Sequence, residues 1–296
     1  WSSDVCSSDL GLSGVHSTSN SAVSDLLLRG RYWMSRGTPE GLKQAREAFA
    51  AAVAQDSLSA EALAWLAHAN TWIAMYSYRG TEDLYGNLAE AVALARRAQA
   101  LEPENPEVAL AVARTAYFSG ANWDSAGKLY ERAIRLSPNN PEALLDLGHV
   151  QGDLGYADSA LALARSAVSI DPLGAGVRHG AIAVALRVRR PDIALEWSRA
   201  RLAQEPGDLI AMALEGYALT LAGRSAECPD RAYGPWLAAQ AICLHAAGRT
   251  RDAAVLADSL QSMLEQERYA SVHQFTDLAS YYAWTGRAPE SLRSIW

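Results

Sequence analysis

Small and apolar residues recur along this chain at the three- and four-residue spacing of a helix face, and each recurrence ends at a proline. The spacing is A-x3-A-x2-A-x4-P, and its clearest copies are Ala91, Ala95, Ala98 and Pro103; Ala126, Tyr130, Ala133 and Pro138; and Ala160, Ala164, Ala167 and Pro172. Successive prolines lie 35 and 34 residues apart. Because proline cannot continue a helix and small residues let two helices approach closely, this period predicts stacked helix pairs.

The segment 106–138 shows how one pair is predicted to form. Apolar positions between residues 110 and 118 share one face of a first helix, which ends at Gly120 in a left-handed cap. A second helix follows over residues 123–136. Since Asn140-Pro141 is a helix-start signal, the next pair is expected to begin there.

The next pair carries a more specific pattern. Leu144, Leu147 and Gly148 match the L-x2-L-G pattern of a first helix. With these motifs, residues 105–172 resemble two full tetratricopeptide (TPR) repeats, and the looser resemblance covers roughly residues 22–296. The resemblance implies an all-α fold, a right-handed superhelical solenoid of antiparallel helix pairs.

The resemblance divides residues 21–296 into about seven to eight repeats. A long insertion at residues 76–88 is expected to lengthen the first helix or its loop in an early repeat. Residues 208–235 supply one helix and too short a remainder for a second, so this repeat is expected to be degenerate. The chain stops at Trp296 inside a second helix, so we expect a C-terminal truncation.

The first twenty residues do not follow the repeat pattern. Residues 1–10, WSSDVCSSDL, resemble the in-frame translation of a sequencing-library adapter and are excluded from the fold. Residues 11–20 are rich in Gly, Ser and Thr, and are expected to form a flexible linker. The folded part is therefore expected to begin at residue 21.

Charge and motifs narrow the range of functions. The chain has 26 basic and 33 acidic residues, a net charge of −7, which argues against nucleic-acid binding by this segment. Its six histidines are dispersed, and neither a catalytic motif nor metal-ligand spacing is recognisable. We therefore expect no enzyme activity, no cofactor, no metal site and no membrane contact for this segment.

The cysteines leave two interpretations open. Cys6 lies in the adapter-like segment, which leaves Cys228 in the short loop of the degenerate repeat and Cys243 on the next helix. The two are either unpaired small residues, or a disulfide that staples the irregular repeat. A disulfide would imply an oxidising compartment.

The TPR resemblance also implies where a partner binds, because first helices line the concave groove of such arrays. Carried over residue by residue, it places these residues in the groove: Trp65, His68, Trp72, Val112, Thr115, Asp146, His149 and Asp153. Aromatic side chains in a groove suit an extended or helical peptide. Alternatively, the two tryptophans pack against the insertion. The Lys, Asn and Arg of the carboxylate-clamp subfamily are absent, which argues against a chaperone-type acidic peptide.

A narrower resemblance concerns the host protein. Residues 26–56 and the closing stretch from residue 269 resemble the first and last repeats of large bacterial regulators with a winged-helix, Ser/Thr kinase or nucleotide cyclase domain. The expected function is a protein-interaction or regulatory scaffold in such a signalling or transcription-regulatory protein. Two alternatives remain: a periplasmic sensor of a peptide or small molecule, and a self-association scaffold. The compartment, cytoplasmic or periplasmic, stays open.

Overall fold

The computed structural model describes residues 13–36, 39–76, 84–120, 122–229, 237–265, 278–279, 281–283 and 285–286. All regular secondary structure in these ranges is helical. The α-helices are α1 Ser13–Ser35, α2 Pro39–Gln55, α3 Ala60–Tyr76, α4 Leu84–Leu101, α5 Pro106–Phe118, α6 Trp123–Leu136, α7 Pro141–Asp153, α8 Ala157–Ile170, α9 Ala175–Arg187, α10 Pro191–Gln204, α11 Leu209–Leu221, α12 Leu237–Ala246 and α13 Thr250–Glu265.

Neighbouring helices pack as pairs, and each pair packs on the next. The pairs are α1 with α2, α3 with α4, α5 with α6, α7 with α8, α9 with α10, and α12 with α13. First helices also contact one another across pairs, α3 with α5, α7 with α9, and α9 with α11. Because each unit contacts its neighbours in sequence order, the architecture is the predicted solenoid.

The helix boundaries follow from local chemistry. Asn105 and Asn140 cap α5 and α7: each side-chain oxygen accepts hydrogen bonds from two backbone N–H groups of the first turn, and a proline follows. Gly120 and Gly155, after α5 and α7, adopt φ of 77° and 86°. The predicted helix start at Asn140 and left-handed cap at Gly120 are therefore confirmed.

The core is a series of small apolar clusters rather than one large one. Ala160, Ala164 and Ala167 on α8 are completely buried against α7 and α9. On α6, Tyr130 is buried in the adjoining cluster between α5 and α7. Alanine at these crossings lets the helix backbones approach, and the clusters succeed one another along the chain.

The structure differs from the prediction at the start of the first helix, and α3 is longer than α5. Helix α1 begins at Ser13, so residues 13–20, expected to be a linker, extend the first helix instead. This segment contains no proline, and a paired helix can extend through residues of modest propensity. Helix α3 has 17 residues against 13 in α5, and it ends at Tyr76, the first residue of the insertion. Residues 84–88 of the insertion belong to α4, and residues 77–83 lie outside the described part of the chain.

After α11 the described chain forms a single 3₁₀ turn, Ser225–Glu227, before residues 230–236, which lie outside the described part of the chain. Residues 1–12 and 287–296 also lie outside it, and with them the adapter-like segment and the expected truncation.

A disulfide joins this irregular repeat to the next helix. Cys228, directly after the 3₁₀ turn, is bonded to Cys243 on α12, with 5.9 Å between their Cα atoms, a separation within the usual range for a disulfide. Cys228 also packs against the apolar clusters on both sides. The cross-link therefore ties the 3₁₀ turn that follows α11 to α12.

Removing this cross-link should lower stability. The cysteines are 15 residues apart, and closing a loop of that size stabilises the folded chain by about 3 kcal/mol in the loop-entropy model. We expect C228A/C243A to lose about this much unfolding free energy in urea denaturation. A reductant should destabilise the wild type by a similar amount and leave the double variant unchanged; equal curves with and without reductant would contradict the prediction.

The turn between α9 and α10 offers a second test of the fold. The other described turns within helix pairs place a glycine in the left-handed region, whereas here Arg189 adopts φ of 57°. Because a side chain is strained in that region, Arg189→Gly should stabilise the chain by about 1 kcal/mol. The converse Gly155→Ala should destabilise it by a similar amount, since a Cβ there meets no neighbouring atom and only the backbone strain changes. Thermal denaturation would measure both; a loss of stability in Arg189→Gly would refute this reading of the turn.

Candidate functional site

One face of the first helices carries most of the residues predicted to bind a partner. Counting from the cap residue of each helix (Ser59, Asn105, Asn140, Gly174 and Asp208), the sixth, ninth and thirteenth residues lie on one face. We call this face of α3, α5, α7, α9 and α11 the first-helix surface. Its members are Trp65, His68 and Trp72; Ala111, Arg114 and Phe118; Asp146, His149 and Asp153; Gly180, Ala183 and Arg187; and Leu214, Tyr217 and Leu221.

This register corrects the sequence analysis on α5. Val112 and Thr115 were expected on the surface, but Thr115 is buried, and its hydroxyl donates to the carbonyl of Val112 within the helix. Val112 packs beside the apolar cluster of the first repeats. The equivalent of His68 and His149 is instead Arg114. The position of the N-cap residue would have predicted this equivalence, because Arg114 is the ninth residue after Asn105, as His149 is after Asn140.

Arg114 is the most buried cation of this surface, with 6% of the residue exposed. Its Nε donates to Asp146 Oδ2 at 2.6 Å and its Nη2 to Glu142 Oε2 at 2.7 Å, both on α7. Its positive charge lowers the pKa of Glu142. The guanidinium therefore links α5 to α7 by two charge-assisted hydrogen bonds.

His68 lies on the other side of the same guanidinium. Its Nε2 is 3.0 Å from Arg114 Nη1 and accepts a hydrogen bond from the indole N–H of Trp72 at 2.6 Å. Burial, and then the charge of Arg114, hold the pKa of His68 well below its ordinary value. The ring is therefore neutral at physiological pH and fixes Trp72 relative to Arg114.

Trp65 is held more firmly than a surface aromatic. Its ring stacks on Phe49 with 5.6 Å between centroids, and the guanidinium of Arg31 lies 4.8 Å from its centre. Arg31 is also ion-paired with Glu61. The side chain thus contributes to the core of the first repeats as well as to the surface. Whether the tryptophans also touch the insertion concerns side chains outside the described residues.

The remaining predicted residues join α5, α7 and α9. Asp153 accepts a hydrogen bond from Tyr117 Oη at 2.6 Å and is ion-paired with Arg187 of α9. His149 lies between the two aspartates of α7, and burial, then Arg187, lower its pKa to about 4. Its Nδ1 meets no hydrogen-bond partner among the described residues.

Two concavities accompany the surface. A cleft of about 10 Å³, enough for one water molecule, is lined by Ala64, Trp65, His68, Glu107, Leu110, Ala111 and Arg114. An open groove of about 530 Å³ runs between α9 and α11, and its lining residues are Ala183, Leu186, Arg187, Leu214, Tyr217, Thr220 and Leu221. The first is polar and the second mainly apolar.

Most polar side chains of this surface are already paired with one another. Its carboxylates are held by arginines or a tyrosine, and His68 already accepts a hydrogen bond. Within the described ranges, no three or more His, Cys, Asp or Glu are grouped so as to hold a metal ion. In the same ranges, no helix is both long and apolar enough to cross a bilayer.

Comparisons with known proteins agree with the fold. Residues 115–155 match the sequence model of the family described as TPR repeat. TTC0263, a thermophilic TPR protein of Thermus thermophilus, is 21% identical, with a TM-score of 0.55 over 67% of this chain and 99% of its own. A tetratricopeptide repeat protein from Parabacteroides merdae is 15% identical, with a TM-score of 0.52 over 82% of this chain and 93% of its own. No curated protein sequence matches the chain. At these identities the likeness shows the fold, an all-α TPR-type solenoid.

The Arg114 contacts predict a pH-dependent stability difference. Arg114→Met keeps the length of the side chain but leaves Asp146 and Glu142 without their counter-charge, so it should cost roughly 3 kcal/mol at pH 7. Because Arg114 lowers the pKa of Glu142, its contribution is present above the unfolded carboxyl pKa and is lost as the pH falls through the folded value.

Urea denaturation should therefore show a smaller difference between Arg114→Met and wild type at pH 3 than at pH 7. The control is Arg187→Met, which removes a more exposed ion pair, with 41% of the Arg187 side chain accessible, and should cost less than about 1 kcal/mol. Equal losses for the two variants, or a difference independent of pH, would show that Arg114 does not act through its charge.

Proposed function

We propose that this chain is a protein-interaction module that binds a peptide segment of a partner protein along the first-helix surface. The observation that carries the proposal is a continuous row of aromatic, charged and apolar side chains on five successive first helices. Helix stacking relies mainly on other residues, such as the buried alanines of α6 and α8. Aromatic residues and arginine are the types enriched at protein interfaces.

The rigidity of the row supports the same proposal. Trp72 is fixed by His68, Arg114 by two carboxylates, and Asp153 by Tyr117 and Arg187. Side chains that already occupy one rotamer lose little further entropy on binding. Five helices about 10 Å apart span about 40 Å, which an extended peptide of about 12 residues covers.

The kind of protein that we propose contains this module is based on the narrower sequence resemblance. The likeness of residues 26–56 to the first repeat of large bacterial regulators supports a module within a signalling or transcription-regulatory protein. In such a protein, peptide binding to a rigid solenoid would change how an attached effector domain is held. No catalytic step by this segment is part of the proposal.

A second candidate function is favoured by one observation. The bond between Cys228 and Cys243 is of the kind that persists in oxidising compartments. It supports a periplasmic sensor that binds an exported peptide or small molecule on the same surface. Thiol alkylation and mass spectrometry of the protein from its native cell would decide: a bonded pair supports the periplasmic candidate, and two alkylated cysteines exclude it.

Peptide display tests the principal proposal. Random peptides of about 12 residues would be selected on the full chain, and their affinities measured by fluorescence anisotropy. Phe118→Ala, on the first-helix surface, should weaken the selected peptides by about tenfold. Tyr156→Ala, at an exposed turn residue before α8, is the matched control and should leave affinity unchanged.

Circular dichroism would establish that both variants keep the helix content of the wild type. Failure to select any binder, or binders that lose affinity with Tyr156→Ala and not with Phe118→Ala, would refute the proposal. A chain that binds no peptide but gains mass with concentration in light scattering would support self-association instead.

A further inference from the structure

The first-helix surface changes character between α7 and α9. On α3, α5 and α7 the ninth position after the cap is polar and holds His68, Arg114 and His149. On α9 and α11 the same position holds Ala183 and Tyr217. The surface is therefore divided into a charged part and an apolar part.

The apolar part is concave because α9 carries small residues where α7 carries large ones. Gly180 replaces the equivalent of Asp146, and a Cβ there would come within 2.9 Å of the Leu145 side chain of α7. Glycine thus permits close packing of α9 on α7, and Ala183 leaves space in front of Leu214 and Tyr217. The result is the groove of about 530 Å³ between α9 and α11.

The shape of this groove favours a side chain over an enclosed ligand. Its volume lies in the range of small-molecule sites, about 300–1,000 Å³, but such sites bury most of their ligand. This groove is open along its length, so a bound molecule would keep one side in water. Apolar side chains on a peptide backbone satisfy both conditions, because the backbone remains hydrated.

The charged part, together with the ionic side chains that contact or border it, has an excess of negative charge. Glu61, Glu107, Glu142, Asp146 and Asp153 face Arg31, Arg114 and Arg187, which is five carboxylates against three guanidinium groups. Glu107 borders the polar cleft, where burial raises the pKa of its carboxyl group and the charges of Arg31 and Arg114 partly oppose this rise. A positive group placed along α5 and α7 would therefore be attracted, whereas a negative group would be repelled.

We propose that the partner segment combines apolar side chains, seated in the α9–α11 groove, with lysine or arginine residues that lie over α5 and α7. Arg187 marks the boundary, since it lines the groove while its charge is paired with Asp153. This inference rests on the proposed function and specifies the chemistry of its partner. An acidic or purely polar segment does not fit this division of the surface.

Four fluorescein-labelled peptides of equal length test the inference. The first has a leucine-rich half and a lysine-containing half; in the others the lysines are replaced by Glu, the lysines by Gln, or the leucines by Ser. By anisotropy the leucine–lysine peptide should bind best, the glutamate peptide at least about tenfold more weakly, and the serine peptide weakest. Raising the salt concentration should reduce the lysine preference.

Two variants test separately where the leucine-rich half and the lysine-containing half of the peptide bind. Ala183→Trp fills the groove without removing a core side chain, and should weaken the leucine–lysine peptide about tenfold. Its control is Ala162→Trp at an exposed position of α8, which should have no effect. Glu107→Gln should reduce the preference for lysine over glutamine and leave the glutamine peptide unchanged. Its control is Glu131→Gln on the exposed face of α6.

The failures of the two proposals are distinguishable. If peptide display yields binders whose affinity depends on Phe118 but the four peptides are not ranked as expected, or Ala183→Trp has no effect, the inference is wrong and the proposed function stands. If display yields nothing and none of the four peptides binds, the proposed function fails as well. Dimerisation that is abolished by Ala183→Trp would show a second copy in the groove and would overturn the inference.

Discussion

The structure depends on the close approach of neighbouring helices, which requires residues without bulk wherever two helices cross. Ala160, Ala164 and Ala167 on α8 are fully buried, and Ala126 and Ala133 take the same role on α6. Because these residues supply the contact, each pair buries its apolar face against the next, and stability accumulates along the stack. The outward face of each first helix contributes less to this packing and can carry larger and charged side chains.

Arg114 is a charged side chain on this face that is buried between helices. Burying a guanidinium removes it from water, and only a complete set of partners offsets this desolvation. Here the partners come from two other helices, His68 on α3 and the carboxylates of Glu142 and Asp146 on α7. One side chain therefore fixes the relative positions of groups on three first helices, and the charged part of the surface is ordered before any partner arrives.

The segment after α11 shows a second way in which neighbouring helices of the stack are held together. After α11 the described chain continues in a 3₁₀ turn, and the bond between Cys228 and Cys243 ties the residue after this turn to α12, which also packs on α11. The disulfide is a covalent constraint, and here it adds to the apolar area that helix pairs bury elsewhere in the stack. The groove between α9 and α11 lies directly before this point, so the apolar part of the first-helix surface adjoins the least regular part of the stack.

The sequence by itself determined the helix pairs, because proline, asparagine and glycine act through the local backbone and alanine spacing repeats with the helix period. Asn140 and Gly120 show this, since each was placed correctly from its neighbours alone. The sequence also placed Trp65, His68 and the three α7 residues on one face. On α5, however, the predicted face lay one residue away from the face that the cap at Asn105 defines. Only the tertiary structure decided that Arg114 is buried between helices, that Trp65 is partly core, and that α9 and α11 leave a groove. These features depend on contacts between residues far apart in the chain, and no local pattern encodes the distance between two helices.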